Sequence, residues 1–276
     1  MSTVRSKVIL ITGASAGMGK ATAKQLIANG HIVYGAARRV ENMQDLVKLG
    51  GHAIRLDVTD TKSIDKAVSE IIIAHGKIDV LVNNAGYSVY GSVEHVSDED
   101  AKQQFEVNLF GAGALTKRVI PYMRDNNSGQ IINVTSIGGK IGVPLGAWYH
   151  ASKHALEGWS DCLRMELSQF GIDVTIIEPG AIETEFADVM NAPMIERNKG
   201  TVYEPIMNGI MKANQAAYDG SYSTKPEAIA DVIIKAIDST KPKTRYAAGK
   251  MARTTLTMRR LLSDKGFDKA ILNMMK

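Results

Sequence analysis

Tyr149 and Lys153 stand four residues apart in "YHASK", inside a stretch of helical period. Side chains at that spacing project from one helix face, so an ammonium lies beside a phenol. A free phenol titrates near pH 10 and exchanges protons poorly at neutrality, and a neighbouring cation draws that value down. The pair is suited to general acid–base work near neutral pH. Ser136 follows the strand-like run "QIINVT", where its hydroxyl can hold a reacting oxygen near the phenol. Asn108, in "VNLFG", adds a polar group to an otherwise apolar helical stretch. Singly, each of these reads better as an ordinary structural residue; the combination is what points to chemistry. His95, His150 and His154 show no spacing with cysteine or carboxylate that resembles a zinc site, so no metal is expected and no role is assigned to them.

A second feature lies near the start, in "KVILITGASAGMGKATAKQLIANG", residues 7–30. An apolar run passes into a turn containing Gly13, Gly17 and Gly19, and a helical pattern follows at once. At such a junction glycine permits positive φ and lets a ligand approach the backbone. The helix start beyond it offers unpaired N–H groups and the positive end of the dipole, which suits a pyrophosphate.

The elements that must position these groups alternate along the chain. Strand-like runs occur at "KVILIT", "HIVYGAA", "AIRLDV", "IDVLVNN", "QIINVTS", "DVTIIEP" and "TRYAAG", separated by longer stretches of helical period. The runs are apolar at nearly consecutive positions, as strands covered on both faces require. The pattern predicts an α/β fold: a doubly wound, mostly parallel seven-stranded sheet with helices on both faces. Residues 1–250 read as one domain. It includes a lobe at 185–225, rich in Met, Asn and Gly, whose length suits a lid and whose Met190, Met194, Met207 and Met211 suit either an adaptable apolar pocket or plain packing. Residues 251–276 read as a basic tail of one or two short amphipathic helices.

Composition narrows the class further. The chain has 276 residues, 45% of them hydrophobic, and a net charge of +4. The positive excess is local: nine lysines and arginines in residues 243–276 face only Asp264 and Asp268. Without an accompanying motif this tail is not a nucleic-acid footprint; peripheral contact with a membrane or partner is the alternative to a plain solvated face. No apolar run approaches the roughly 18 residues of a membrane span, and no secretory h-region is seen, so a soluble, cytoplasmic protein is expected. The single cysteine, Cys162, excludes an internal disulfide and reads as a buried packing residue.

The spacing Thr12-Gly13-x-x-x-Gly17-x-Gly19, together with "NNAG" at 83–86, Asn108, Ser136, Tyr149-x-x-x-Lys153 and "EPG" at 178–180, resembles the classical short-chain dehydrogenase/reductases over roughly residues 5–250. "NNAGY", the long lobe and "TRYAAG" resemble the branch with 17β-hydroxysteroid and retinol dehydrogenases and acyl-dihydroxyacetone-phosphate reductases. The resemblance implies a nicotinamide dinucleotide held by Gly13, Ser15, Gly17, Met18, Gly19, Asp57, Val58, Asn84, Ala85, Gly86, Tyr149, Lys153, Pro179, Gly180 and Thr184. Ala37 stands where NAD-preferring members carry Asp, and Arg38 beside it can pair with a 2′-phosphate, so NADP(H) is favoured over NAD(H). It further implies that Tyr149 protonates a carbonyl, that Lys153 tunes Tyr149 and holds the nicotinamide ribose, that Ser136 orients the carbonyl, and that Asn108 anchors a relay water. The implied substrate is a mid-sized apolar ketone, aldehyde or secondary alcohol, and the implied assembly a homo-oligomer. A non-catalytic NADP(H) sensor, an epimerase or dehydratase on the same fold, and a lipid-surface scaffold remain as alternatives.

Overall fold

A computed structural model describes residues 6–183, 186–218 and 223–275. Seven parallel strands form one sheet: β1 (Val8–Thr12), β2 (Ile32–Ala37), β3 (His52–Arg55), β4 (Val80–Asn83), β5 (Gly129–Val134), β6 (Ile172–Pro179) and β7 (Arg245–Ala248). Their spatial order is β3-β2-β1-β4-β5-β6-β7. The order reverses between β1 and β4, which opens a crevice beyond the carboxyl ends of those strands. The strand runs read from the sequence all fall on observed strands, although β3 stops at Arg55 and leaves Asp57 and Val58 in the loop that follows.

All five residues of β1 are buried because its two faces enter different cores. Val8 and Leu10 pack with Ile64, Val68 and Ile71 of α3 (Thr61–His75), with Leu115 and Val119 of α5 (Gly111–Asp125), and with Leu163 of α6 (Ala147–Leu167). Ile9 and Ile11 pack on the other side with Ala23 and Leu26 of α1 (Gly17–Ala28), Leu46 of α2 (Gln44–Lys48), and Ile229 and Ile233 of α9 (Pro226–Asp238). Each Val, Leu or Ile side chain among these contributes about 1.5–3 kcal/mol by leaving water.

The helical pattern across residues 100–126 becomes α4 (Asp98–Phe105) and α5, joined without a break by a π-turn at Glu106–Phe110. The lobe folds as two helices, α7 (Phe186–Asn198) and α8 (Glu204–Tyr218). Its base is a parallel bridge between Ile182 and Thr224. The tail forms α10 (Ala252–Leu261) and α11 (Asp264–Met274), and Phe267 and Ile271 turn inward onto Ile141. No helix among the described residues is long and apolar enough to cross a membrane.

Cys162 corrects one expectation, since it is exposed. The buried stripe of α6 runs through Leu156, Glu157, Ser160 and Leu163, and position 162 falls off it.

A polar ladder runs through the core and sets α6 against the sheet. Asn83 Nδ2 on β4 donates to Thr116 Oγ1 on α5 (3.0 Å) and to Asn133 Oδ1 on β5 (2.9 Å). Asn133 Nδ2 donates to Ser160 Oγ on α6 (2.8 Å), and Ser160 in turn donates to the Leu156 carbonyl. Asn133, Thr116 and Ser160 are fully buried, so these bonds have no water to replace them. Asn133→Leu should therefore lower unfolding free energy by about 2–3 kcal/mol, read from urea denaturation, despite adding apolar volume.

Candidate active site

The β1–α1 turn adopts the backbone that its glycines allow: φ is 69° at Gly13 and 54° at Gly17. The space left by two of the glycines is filled by the chain itself. A Cβ at Gly19 would lie 2.5 Å from the Gly13 carbonyl oxygen and 2.4 Å from Asn84 Nδ2. A Cβ at Gly13 would come within 3.0 Å of the Ala85 backbone. Gly13 and Gly19 thus let α1 dock against the end of β4. The room for a ligand lies at the start of α1, where Ser15, Gly17 and Met18 are only half-buried.

That helix start has open donors. Ala16, the residue before α1, provides no side-chain cap, whereas α3, α4 and α11 begin on capping Asp60, Ser97 and Ser263. The first-turn N–H groups of α1 suit an anion. Beside them Asn84 Nδ2 donates to the Thr12 and Gly13 carbonyls, while its buried Oδ1 accepts from no group among the described residues. A sugar hydroxyl would satisfy that acceptor. The residues present therefore fit a dinucleotide by chemistry as well as by position.

At the end of β2, Ala37 is buried and Arg38 exposed. The Arg38 charge reaches both Asp57 and Tyr87. Burial opposes ionisation of Asp57, but the Thr59 amide and hydroxyl, at 3.0 and 2.8 Å, together with the Arg38 and Arg55 charges outweigh it and hold the carboxyl below its usual range. Val58 packs under α5, where a Cβ on Gly111 would fall 2.7 Å from its carbonyl oxygen. Gly180, just after Pro179, is pressed against the Lys250 carbonyl. Thr184 lies outside the described residues.

Tyr149 and Lys153 share the buried face of α6, at 8% and 6% exposure. Lys153 Nζ donates to the Val134 carbonyl at the end of β5 (3.0 Å). It also approaches to 3.6 Å of where a Cβ on Gly86 would be. Burial pulls its ammonium down to about 8, and the charge of Glu157 offsets part of that fall. Ser136 opens a tight turn in which its Oγ accepts from the Gly138 amide (3.0 Å). That turn lies against the phenol: a Cβ on Gly138 would sit 3.1 Å from Tyr149 Cε1.

Asn108 sits in the π-turn, where each ring closes over one more residue than in an α-turn, as in the Gly111 amide bonding the Glu106 carbonyl. Its amide is largely committed. Oδ1 accepts from the Tyr87 amide (3.1 Å), while Nδ2 donates to the Tyr87 carbonyl (3.0 Å) and to Ser152 Oγ (3.1 Å). Ser152 then donates to the Tyr149 carbonyl (2.8 Å), so Asn108 fixes the loop after β4 relative to α6.

Several neighbours went unassigned in the sequence. Gln104 stitches the same loop through the Val89 amide and the Tyr87 carbonyl, both at 2.6 Å. Tyr90 packs tilted and His150 edge-on against the Tyr149 ring, with His150 Nδ1 on the Gly138 carbonyl (2.9 Å). Burial holds His150 below its usual range. Thr12 is the clearest omission, although it stands in the quoted motif. Its Oγ1 accepts from the Asn84 and Ala85 amides (3.0 and 2.9 Å), joining the ends of β1 and β4. Among the described residues no cluster of His, Cys, Asp and Glu could hold a metal.

Thr12→Val should strand those two amides and cost about 2–4 kcal/mol in urea unfolding, with Thr12→Ser recovering most of the loss.

The family model for short chain dehydrogenases matches residues 7–194. A 3-ketodihydrosphingosine reductase of Bacteroides thetaiotaomicron is 34% identical over 250 residues, covering 91% of this chain and 90% of the relative. A short-chain dehydrogenase from Streptomyces avermitilis superposes with a TM-score of 0.79 at 34% identity, covering 92% of this chain and 93% of that one. An actinorhodin polyketide ketoreductase solved with NADPH superposes at 0.74 and 30% identity, covering 87% and 93%. This chain is an oxidoreductase of the short-chain dehydrogenase/reductase family.

Proposed function

We propose that the protein uses NADP(H) to interconvert the carbonyl and secondary or primary alcohol forms of an apolar substrate, with reduction the favoured direction. The observation that carries this reading is the meeting of Tyr149, the buried Lys153 ammonium and the Ser136 turn at the carboxyl edge of the sheet. When bound, the reduced nicotinamide supplies the hydride.

The chain's own residues account for the rest. Ser136 Oγ already accepts from Gly138, so its own proton is available to the substrate oxygen. Tyr149 Oη donates the proton that the carbonyl oxygen needs as it becomes an alcohol. The Lys153 ammonium lowers the cost of the phenolate left behind and has further N–H donors for a ribose. Since the Asn108 amide is taken up by Tyr87 and Ser152, a relay water at this position would rest on the π-turn backbone. Arg38, next to Ala37, supports NADP(H) through its guanidinium and the absence of a carboxylate at that site.

The walls around Tyr149 support an apolar substrate. Tyr90, Leu145, Met190, Met194, Met207 and Ile210 form one buried cluster with it. Adaptable thioethers suit an alkyl chain, and the name of the Bacteroides relative points to a long-chain ketone.

NADPH consumption measured against a panel of alkyl ketones, β-keto lipids and aldehydes tests this reading. Turnover should fall about 100- to 10,000-fold in Tyr149→Phe. Arg38→Ala should raise the KM for NADPH about tenfold or more while leaving that for NADH nearly unchanged. NADPH binding without turnover of any carbonyl would favour the sensor alternative, and undiminished turnover in Tyr149→Phe would remove the proposed proton donor.

A further inference from the structure

One helical turn beyond Lys153, α6 carries a carboxylate into the interior. Glu157 is 2% exposed. An isolated buried carboxylate is costly, and this one is held by groups from three other segments. Thr135 Oγ1, immediately before Ser136, donates to Glu157 Oε1 at 2.6 Å. Lys140, at the far end of the Ser136 turn, places Nζ 2.9 Å from Oε2. Arg245 of β7 donates from Nε to Oε2 at 3.0 Å. Within the turn, Gly139 has no room for a side chain: a Cβ there would meet Glu157 Cγ at 2.9 Å and the Lys153 carbonyl at 3.1 Å.

The carboxylate therefore grips the Ser136 turn at both ends and joins it to the helix that carries Tyr149 and Lys153. We propose that Glu157 is a positioning residue for this group, clamping the Ser136 turn to α6 and presenting a fixed negative charge one helical turn behind the Lys153 ammonium. This inference rests on the assignment of Ser136, Tyr149 and Lys153 given above.

The charges facing Glu157 come from every element packed on it. Lys140 stands on the turn, Arg245 on β7 and Glu178 on β6, while Lys153, Asp161 and Arg164 share α6. Asp161 is paired with both Arg245 and Arg164, so Arg245 is shared between Asp161 and Glu157. Glu178 is itself pushed up by burial and by the Glu157 charge. The Glu157 charge favours the Lys153 ammonium against its burial. Loss of a negative charge beside Lys153 moves its titration acidward, and loss of a positive one moves it alkaline.

The test follows the Lys153 side chain by NMR in protein labelled at lysine Cε, with its resonance identified by its loss in Lys153→Arg. Glu157→Gln should move the titration acidward by about one pH unit. Lys140→Met, at a partly exposed position, should move it the other way and serves where Glu157→Gln folds poorly. Thr135→Val, which loosens the clamp without changing charge, should lower kcat about tenfold with little change in KM and leave the titration in place. With folding verified by circular dichroism, an unmoved Lys153 titration in both Glu157→Gln and Lys140→Met would overturn the proposal. Parallel assays of Tyr149→Phe separate the two levels: full turnover there sinks the functional assignment, whereas an abolished turnover with an unmoved titration sinks the role of Glu157 alone.

Discussion

A lysine ammonium kept out of water is the constraint around which this molecule is arranged. Lys153 has 6% of its surface exposed, and burial of that charge without compensation would neutralise it or unfold its surroundings. Compensation comes from the end of β5, whose Val134 carbonyl accepts from Nζ, and from the anion of Glu157 on the same helix. The glycine at 86 lets the β4 loop pass close by, and the Asn108 amide holds that loop in place. Because all seven strands are parallel, their carboxyl ends share one edge, and each of these contributions arrives at the same spot.

The helix bearing the lysine must also be held in register. Main-chain hydrogen bonds cannot do this, since a helix satisfies its own, so the register is set by side chains that reach across layers. Thr135, Lys140 and Arg245 meet Glu157 at the middle of α6, while Asn83, Asn133 and Ser160 perform this one turn further on. Polar contacts of this kind carry direction as well as energy, which an apolar interface of equal area would not. In the proposed reaction a phenol and a hydroxyl share one oxygen atom of the substrate, which needs that directionality.

The strands were legible in the sequence because a doubly covered parallel strand is a continuous apolar run, and such runs as "KVILIT" have few alternatives. The Tyr149–Lys153 pair was legible because the two residues are local neighbours on one helix. Glu157 was not, since its partners at 135, 140 and 245 are brought to it only by the tertiary fold. Cys162 was misplaced for a related reason: its helix is buried along one stripe, and periodicity alone did not fix the phase at that position. The turn glycines were recognised, but part of their purpose was hidden, because the contact of Gly19 with Asn84 spans 65 positions of chain that only the β1–β4 pairing closes.

The wall around Tyr149 is built from pieces that come after most of the sheet in the chain. Met190, Met194, Met207 and Ile210 belong to α7 and α8. Arg197 and Asn198 fasten these helices to the Tyr90 carbonyl and the Ser92 amide. Met275, just past α11, joins the same cluster and lies against Gly209, while Phe267 and Ile271 brace the loop after Ser136. In the proposed reaction, proton transfer and cofactor contacts thus reside mainly on segments between β1 and β6, and the surface facing the rest of the substrate resides mainly on later ones. Exchange of those later segments between relatives would transplant substrate choice onto an unchanged reaction centre, which makes this division a natural seam for recombination and for building chimeric enzymes.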